Sequence, residues 1–147
     1  MIKTVLCAVD INRPAEEAEV LRMAARLADL DGAQLDVISV LPDFGASVVG
    51  AYLQDHHVKT AQDDASAKLD ALVNDTLGPE RNKAVRHIVA VGSVYQEVLH
   101  AAEVSNTDLI VLGAHDPDLK DYLLGPNAAR IVRHGTCSVF VVRSGHS

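Results

Sequence analysis

The chain has 147 residues, enough for one domain with a real core. Hydrophobic residues make up 48% of it and aromatics only 3%, so the core has to be built from Val, Leu, Ile and Ala, a mixture suited to helices on a parallel sheet. A formal net charge of −7 argues against nonspecific nucleic-acid binding, which needs a basic surface. With no apolar run of membrane-spanning length and no charged-then-apolar leader, a soluble, cytoplasmic protein without membrane insertion is expected.

The first strand is read in "KTVLCAVD", ending at Asp10. A helix should follow from Pro14, with Asn12 as its cap and Glu16 and Glu17 in the first turn, where acids favour the helix dipole. Its apolar stripe is Ala18, Leu21, Ala25 and Ala28, widened by Leu27 and Leu30, and Gly32 stops it. "QLDVISVL" is the second strand, ended by Pro42. Residues 43–55 read as a loop, 56–77 as a second helix, and "GPE" at 78–80 as its break. "VRHIVAVG" is the third strand and "SVYQEVLHAAEVSN" a helix capped by Ser93. "DLIVLG" is the fourth strand, a last helix runs from Gly125 to Gly135, and "CSVFVVR" closes the chain as the fifth strand.

Strands alternating with helices predict one α/β domain over 1–147, a doubly wound five-stranded parallel sheet with helices on both faces. In such sheets a ligand binds at the carboxyl ends of the strands, where neighbours wind in opposite senses. If the order is 3-2-1-4-5, strands 1 and 4 flank that crevice, and their ends are Asp10 and Gly113.

Several residues at that rim carry two readings each. Asp10 is a ligand acceptor or the cap of the next turn. Gly113 admits a sugar or phosphate to the main chain or merely lets the strand turn away. His115 is a phosphate donor or a solvated side chain. Gly125 opens either an anion-binding helix start, with unpaired N–H groups and the positive dipole end, or an ordinary helix. Pro126 suits the first helical position but removes a donor there, whereas Asn127 and Ala128 keep theirs.

Other sites are excluded by inspection. There is no G-x-x-x-x-G-K-[ST] loop, no G-x-G-x-x-G after the first strand and no G-x-S-x-G elbow. Adjacent His56 and His57 do not share a helix face as metal ligands would, and Asp63 and Asp64 belong to a charged helix face. A phosphoacceptor receiver needs an acid at the end of strand 3, where this chain has Gly92. Cys7 and Cys137 both lie in or beside apolar runs and read as reduced core thiols.

"VLCAVD", "VGSVYQEVLHAAEVSNTDLIVLGAH" and "LLGPNAARIVRHGTCSVFVVR" together resemble the universal stress protein family over essentially the whole chain. The segment "GAHDPDLKDYLLGPNA" is similar to a subgroup motif of the form G-S-R-x-P…L-L-G-S-N-A. The resemblance implies an ATP site, with Mg²⁺ accompanying the nucleotide. Asp10 would contact the nucleoside, Ala8 and Val9 would line the adenine side, and Val40 would complete the adenine pocket. Gly113 and His115 would border ribose and phosphates, and Gly125, Asn127 and Ala128 would present backbone donors to the phosphates. The sequence departs from the general motif at Asp116, which replaces a glycine, and at Pro126, which replaces a Ser or Thr. Each lost charge-assisted hydrogen bond is worth roughly 1.5–3 kcal/mol, so Pro126 weakens the phosphate grip.

The implied function is an ATP-binding regulatory protein that changes contacts with an unidentified protein partner. The alternative is a dimeric interaction protein of the same fold without nucleotide. A slow hydrolase ranks third, because no general base is evident near the site. The last strand, Cys137 to Arg143, is apolar and unprotected at a sheet edge, and family members pair it across a two-fold axis, so a homodimer is expected.

Overall fold

The computed structural model describes residues 1–42, 51–114 and 124–143, with backbone alone over 51–58. Five parallel strands form one sheet in the order β3-β2-β1-β4-β5, as the alternation of elements predicts. The strands are β1 (Thr4–Ala8), β2 (Gln34–Leu41), β3 (Arg86–Val91), β4 (Leu109–Gly113) and β5 (Ser138–Val142). The helices are α1 (Pro14–Asp31), α2 (Ala51–Leu77), the short α3 (Pro79–Asn82), α4 (Val94–Val104) and α5 (Pro126–His134).

The strands bury alternate residues into two layers, because successive side chains point to opposite faces. Val5, Cys7, Leu35, Val37, Leu109 and Val111 pack against α1 and α2. Leu6, Ile38, Ile110 and Leu112 pack against Val98 and Ala102 of α4 and Ala128 and Ile131 of α5. Burying each large aliphatic side chain contributes about 1.5–3 kcal/mol, so the two layers together hold the sheet between its helices.

The helix boundaries correct several expectations. Arg13, not Asn12, takes the N-cap position of α1, and no side chain caps it. The Asn12 N–H instead donates to Asp10 Oδ1 at 2.9 Å, closing the turn after β1. The buried stripe of α1 is Val20, Leu21, Ala24, Ala25 and Ala28, whereas Leu30 is 77% exposed. Gly32 ends α1 with φ +63°, a left-handed conformation that glycine adopts without steric cost. α2 starts at Ala51, so 51–55 is helix rather than loop, and residues 43–50 of that expected loop lie outside the described residues. The "GPE" break is followed by α3, whose first residue is Pro79. Ser93 holds the N-cap position of α4 but makes no side-chain cap bond.

Polar groups tie the ends of the sheet. Asp108 accepts the N–H groups of Lys3 at 2.7 Å and Thr4 at 3.1 Å, which holds its carboxyl below the usual value. Buried Asp36 pairs through Oδ1 with Arg86 Nε at 2.9 Å, joining β2 to β3. Cys7 and Cys137 are free thiols, and burial pushes Cys7 up, out of reach of ionisation.

Candidate functional site

β1 and β4 are neighbours whose following helices lie on opposite faces of the sheet, so their carboxyl ends leave a crevice. A cavity of about 530 Å³ opens there, within the range of small-ligand sites. Its inner end is apolar. Ala8 and Leu112 form the floor beside Ile38 and Val40 of β2, with Val94 and Val98 of α4 and Ile131 of α5 opposite. The strand side chains among them, with Leu6 and Ile110, belong to the layer that packs against α4 and α5.

The outer end is polar and is made by turns and helix starts. Asp10 lies two residues beyond β1, exposed, with one carboxylate oxygen holding the Asn12 N–H. The turn reading of Asp10 is therefore realised, and the residue also lines the cavity. Val9 lines it too, although its side chain packs in the layer of α1 and α2 and its N–H donates to the Ile38 carbonyl at 2.9 Å.

Gly113 ends β4 where α1 crosses it. A Cβ there would stand 3.3 Å from Val20 Cγ2 and 4.0 Å from Glu17 Oε2, a contact tight enough to favour glycine. The chain re-enters the site at Gly125, whose N–H donates to the Ala114 carbonyl at 3.2 Å. Gly125 was expected as a phosphate donor, but that N–H is already engaged. The first amide of α5 bonded back within the helix is that of Ala129, to Gly125 at 2.9 Å. The N–H groups of Asn127 and Ala128 thus have no acceptor among the described residues, beside Pro126, which has no N–H.

Of the residues singled out in the sequence, Ala8, Val9, Asp10, Val40, Gly113, Gly125, Pro126, Asn127 and Ala128 all line this one cavity. His115 and Asp116 lie outside the described residues. The sequence reading missed Ile38, Val94, Val98 and Ile131, whose apolar spacing looks like ordinary core, and also Arg13 and Glu17. Arg13 pairs with Glu16. Glu17 lines the cavity, and its Oε2 is buried without a hydrogen-bond partner among the described residues. Burial is the main reason its carboxyl is pushed up to about 7, followed by the opposing influence of the Asp10 N–H and then by the Asp10 charge.

Among the described residues, no three His, Cys, Asp or Glu side chains converge as a metal site, and no helix is long and apolar enough to cross a membrane.

A profile of the universal stress protein family matches residues 1–143. Universal stress protein G of Escherichia coli O157:H7 is 31% identical over 146 residues, covering 97% of this chain and all of that protein. Among solved structures, a universal stress protein in complex with cAMP superposes with a TM-score of 0.66 at 18% identity, covering 98% of each chain. The universal stress protein from Archaeoglobus fulgidus in complex with dAMP gives 0.65 at 20% identity, covering 96% of this chain and 98% of that one. At these identities the two structures speak for the fold.

Proposed function

The chain belongs to the universal stress protein family, and on that premise we propose that it binds an adenine nucleotide in the crevice between β1 and β4 and acts as an ATP-responsive regulator of protein contacts. The observation that carries this reading is the polarity of the cavity. An apolar set of Ala8, Ile38, Val40, Val98, Leu112 and Ile131 suits a flat base, and Asn127 and Ala128, whose N–H groups have no partner among the described residues, line the same cavity. Asp10 lines the same cavity and would offer a ribose hydroxyl an acceptor. Relatives of the same fold were crystallised with cAMP and dAMP, both adenine nucleotides. Mg²⁺ would enter with the phosphates, since no protein-only cage for it stands among the described residues. The whole chain, 1–147, is read as one nucleotide-binding domain that acts by binding rather than by turnover.

Thermal-shift titration with ATP, ADP and AMP, each with and without Mg²⁺, tests the reading. A rise in melting temperature that saturates with nucleotide supports it; no shift with any of the three overturns it. Release of adenine nucleotide on denaturing the purified protein is an independent check.

A second reading, a dimeric interaction protein without nucleotide, rests on Pro126 and Glu17, which remove a donor and add a carboxyl at the phosphate end. In either reading β5 is proposed to pair with a second copy. It is an edge strand with Phe140 38% exposed. Val142 accepts from Ala114 at 3.0 Å, so by alternation the Val141 N–H points away from β4 to the open edge. Val141→Pro should therefore remove an edge donor without touching the β4 ladder, and sedimentation should fall from twice the chain mass to a single chain. A wild-type protein that sediments as a monomer would overturn the dimer.

A further inference from the structure

We propose that Glu17 selects ligands of this cavity by charge: with its carboxyl neutral the cavity accepts an anionic adenine nucleotide, and with it ionised the cavity favours a neutral nucleoside. The inference rests on the nucleotide-binding reading and adds a residue that the family resemblance did not supply.

Glu17 is in the first turn of α1, and its side chain reaches over the end of β4 rather than out to solvent. Oε2 lies 4.0 Å from the position a Gly113 Cβ would occupy. Gly113 lines the same cavity as the apolar set and the start of α5, so a nucleotide bound there would have its sugar or phosphate near it. Oε2 is sealed from solvent and has no hydrogen-bond partner among the described residues, and the nearby Asp10 N–H only partly offsets the effect of burial on the carboxyl. A buried oxygen without a partner stabilises the protonated acid, which then has an O–H to offer, and it destabilises the carboxylate.

The charges around it decide the direction. From the turn after β1, Asp10 opposes ionisation of Glu17; on α1, Arg13 favours it and Glu16 opposes it. Arg13 is paired with Glu16 and so is not a dedicated partner of Glu17. From β1, Cys7 faces Glu17 as a neutral thiol, because burial and the Glu17 charge both oppose its ionisation. Among the described residues of β4 and the α5 start, those that line the cavity with Glu17, such as Gly113, Pro126 and Asn127, bring no ionisable group. Burial dominates this set, so the carboxyl changes state near neutrality rather than in acid. A phosphate placed beside it adds one more like charge and raises that point further. Anion binding then takes up a proton, and affinity for the anion falls as pH rises through neutrality.

The test uses cAMP, whose single phosphodiester charge does not titrate near neutrality, and adenosine, which has no phosphate. Isothermal titration of the full chain from about pH 6 to about pH 9 should show cAMP affinity level on the acid side and about tenfold weaker on the alkaline side, one pKa unit of linkage, with adenosine flat throughout. Glu17→Gln should bind cAMP at alkaline pH about tenfold more tightly than wild type and lose the pH dependence. Wild-type titration in two buffers of different ionisation heat reads proton uptake directly and needs no variant. Tight cAMP binding with a flat profile and no proton uptake would overturn the inference while leaving the binding reading intact. Proton uptake that persists in Glu17→Gln would overturn it as well, since another group would be responsible. Failure of cAMP, adenosine and ATP to bind at any pH would instead overturn the nucleotide-binding reading, and this inference with it.

Discussion

The two ends of the cavity are built by different physics. The inner end is core that lacks its last covering. Ile38, Leu112, Val98 and Ile131 are placed by strand and helix periodicity, and each is buried at 5% exposure or less. The outer end has no periodicity. Asp10 sits in a turn, Gly113 at a strand exit, and Arg13, Glu17, Asn127 and Ala128 at the starts of two helices. Substitutions at the inner end should therefore cost stability first, whereas those at the outer end should alter ligand selectivity and pH response.

The sharpest way to break that contrast is Ile131→Ala. Ile131 is 1% exposed and joins α5 to the layer of Leu6, Ile110 and Leu112. Its truncation should lower unfolding stability by about 2–5 kcal/mol in a denaturant titration. Asn127→Ala, one turn earlier on the exposed side, should leave stability within about 0.5 kcal/mol. Equal losses would mean that the two ends are not separate.

Glu17→Gln probes an outer acid whose Oε2 is buried. Its carboxyl is raised from 4.5 to about 7, so the stability it contributes is fully present below about pH 4.5 and is lost as pH rises through about 7. The glutamine variant has no charge to bury. It should be more stable than wild type by about 2–3 kcal/mol at most in mildly alkaline solution, and the gain should vanish in acid. Denaturant midpoints across that range check it, and a constant difference would remove the buried-charge explanation.

Pro126→Ser tests the phosphate end alone. Serine restores an N–H and a hydroxyl at the first position of α5, and a first turn tolerates it. ATP should gain roughly 1–3 kcal/mol more affinity than AMP, measured by isothermal titration. Equal gains would place the phosphates elsewhere.

Asp10→Ala carries the smallest expected effect on the fold. The variant loses the bond from Asn12, an exposed contact worth about 1 kcal/mol, so the melting temperature of the nucleotide-free protein should move little. ATP affinity should fall by more than stability does. A large drop in melting temperature with unchanged binding would leave Asp10 as a turn residue only.

The sequence by itself determined the element order, because short apolar runs such as "TVLCA", "LDVIS" and "LIVLG", set between helix-period stretches, are a local property of the chain. It set β2 to the residue, since Pro42 cannot continue a ladder, and it ended α1 at Gly32. It also placed Asp10, Gly113 and the start of α5 on one rim, because parallel strands leave their carboxyl ends on the same side. Short-range signals failed where neighbours in space decide. Asn12 is a residue type that caps helices, yet its N–H is drawn to Asp10; Leu30 widens the apolar stripe in the sequence but is exposed. Val98 and Ile131 read as core, and only the divergence of helices around β1 and β4 turns them into a cavity wall. Glu17 reads as a first-turn acid favouring a helix dipole. The tertiary structure lays it over Gly113 and shuts out the water that would have solvated its charge, so a surface acid becomes a buried one that titrates near neutrality.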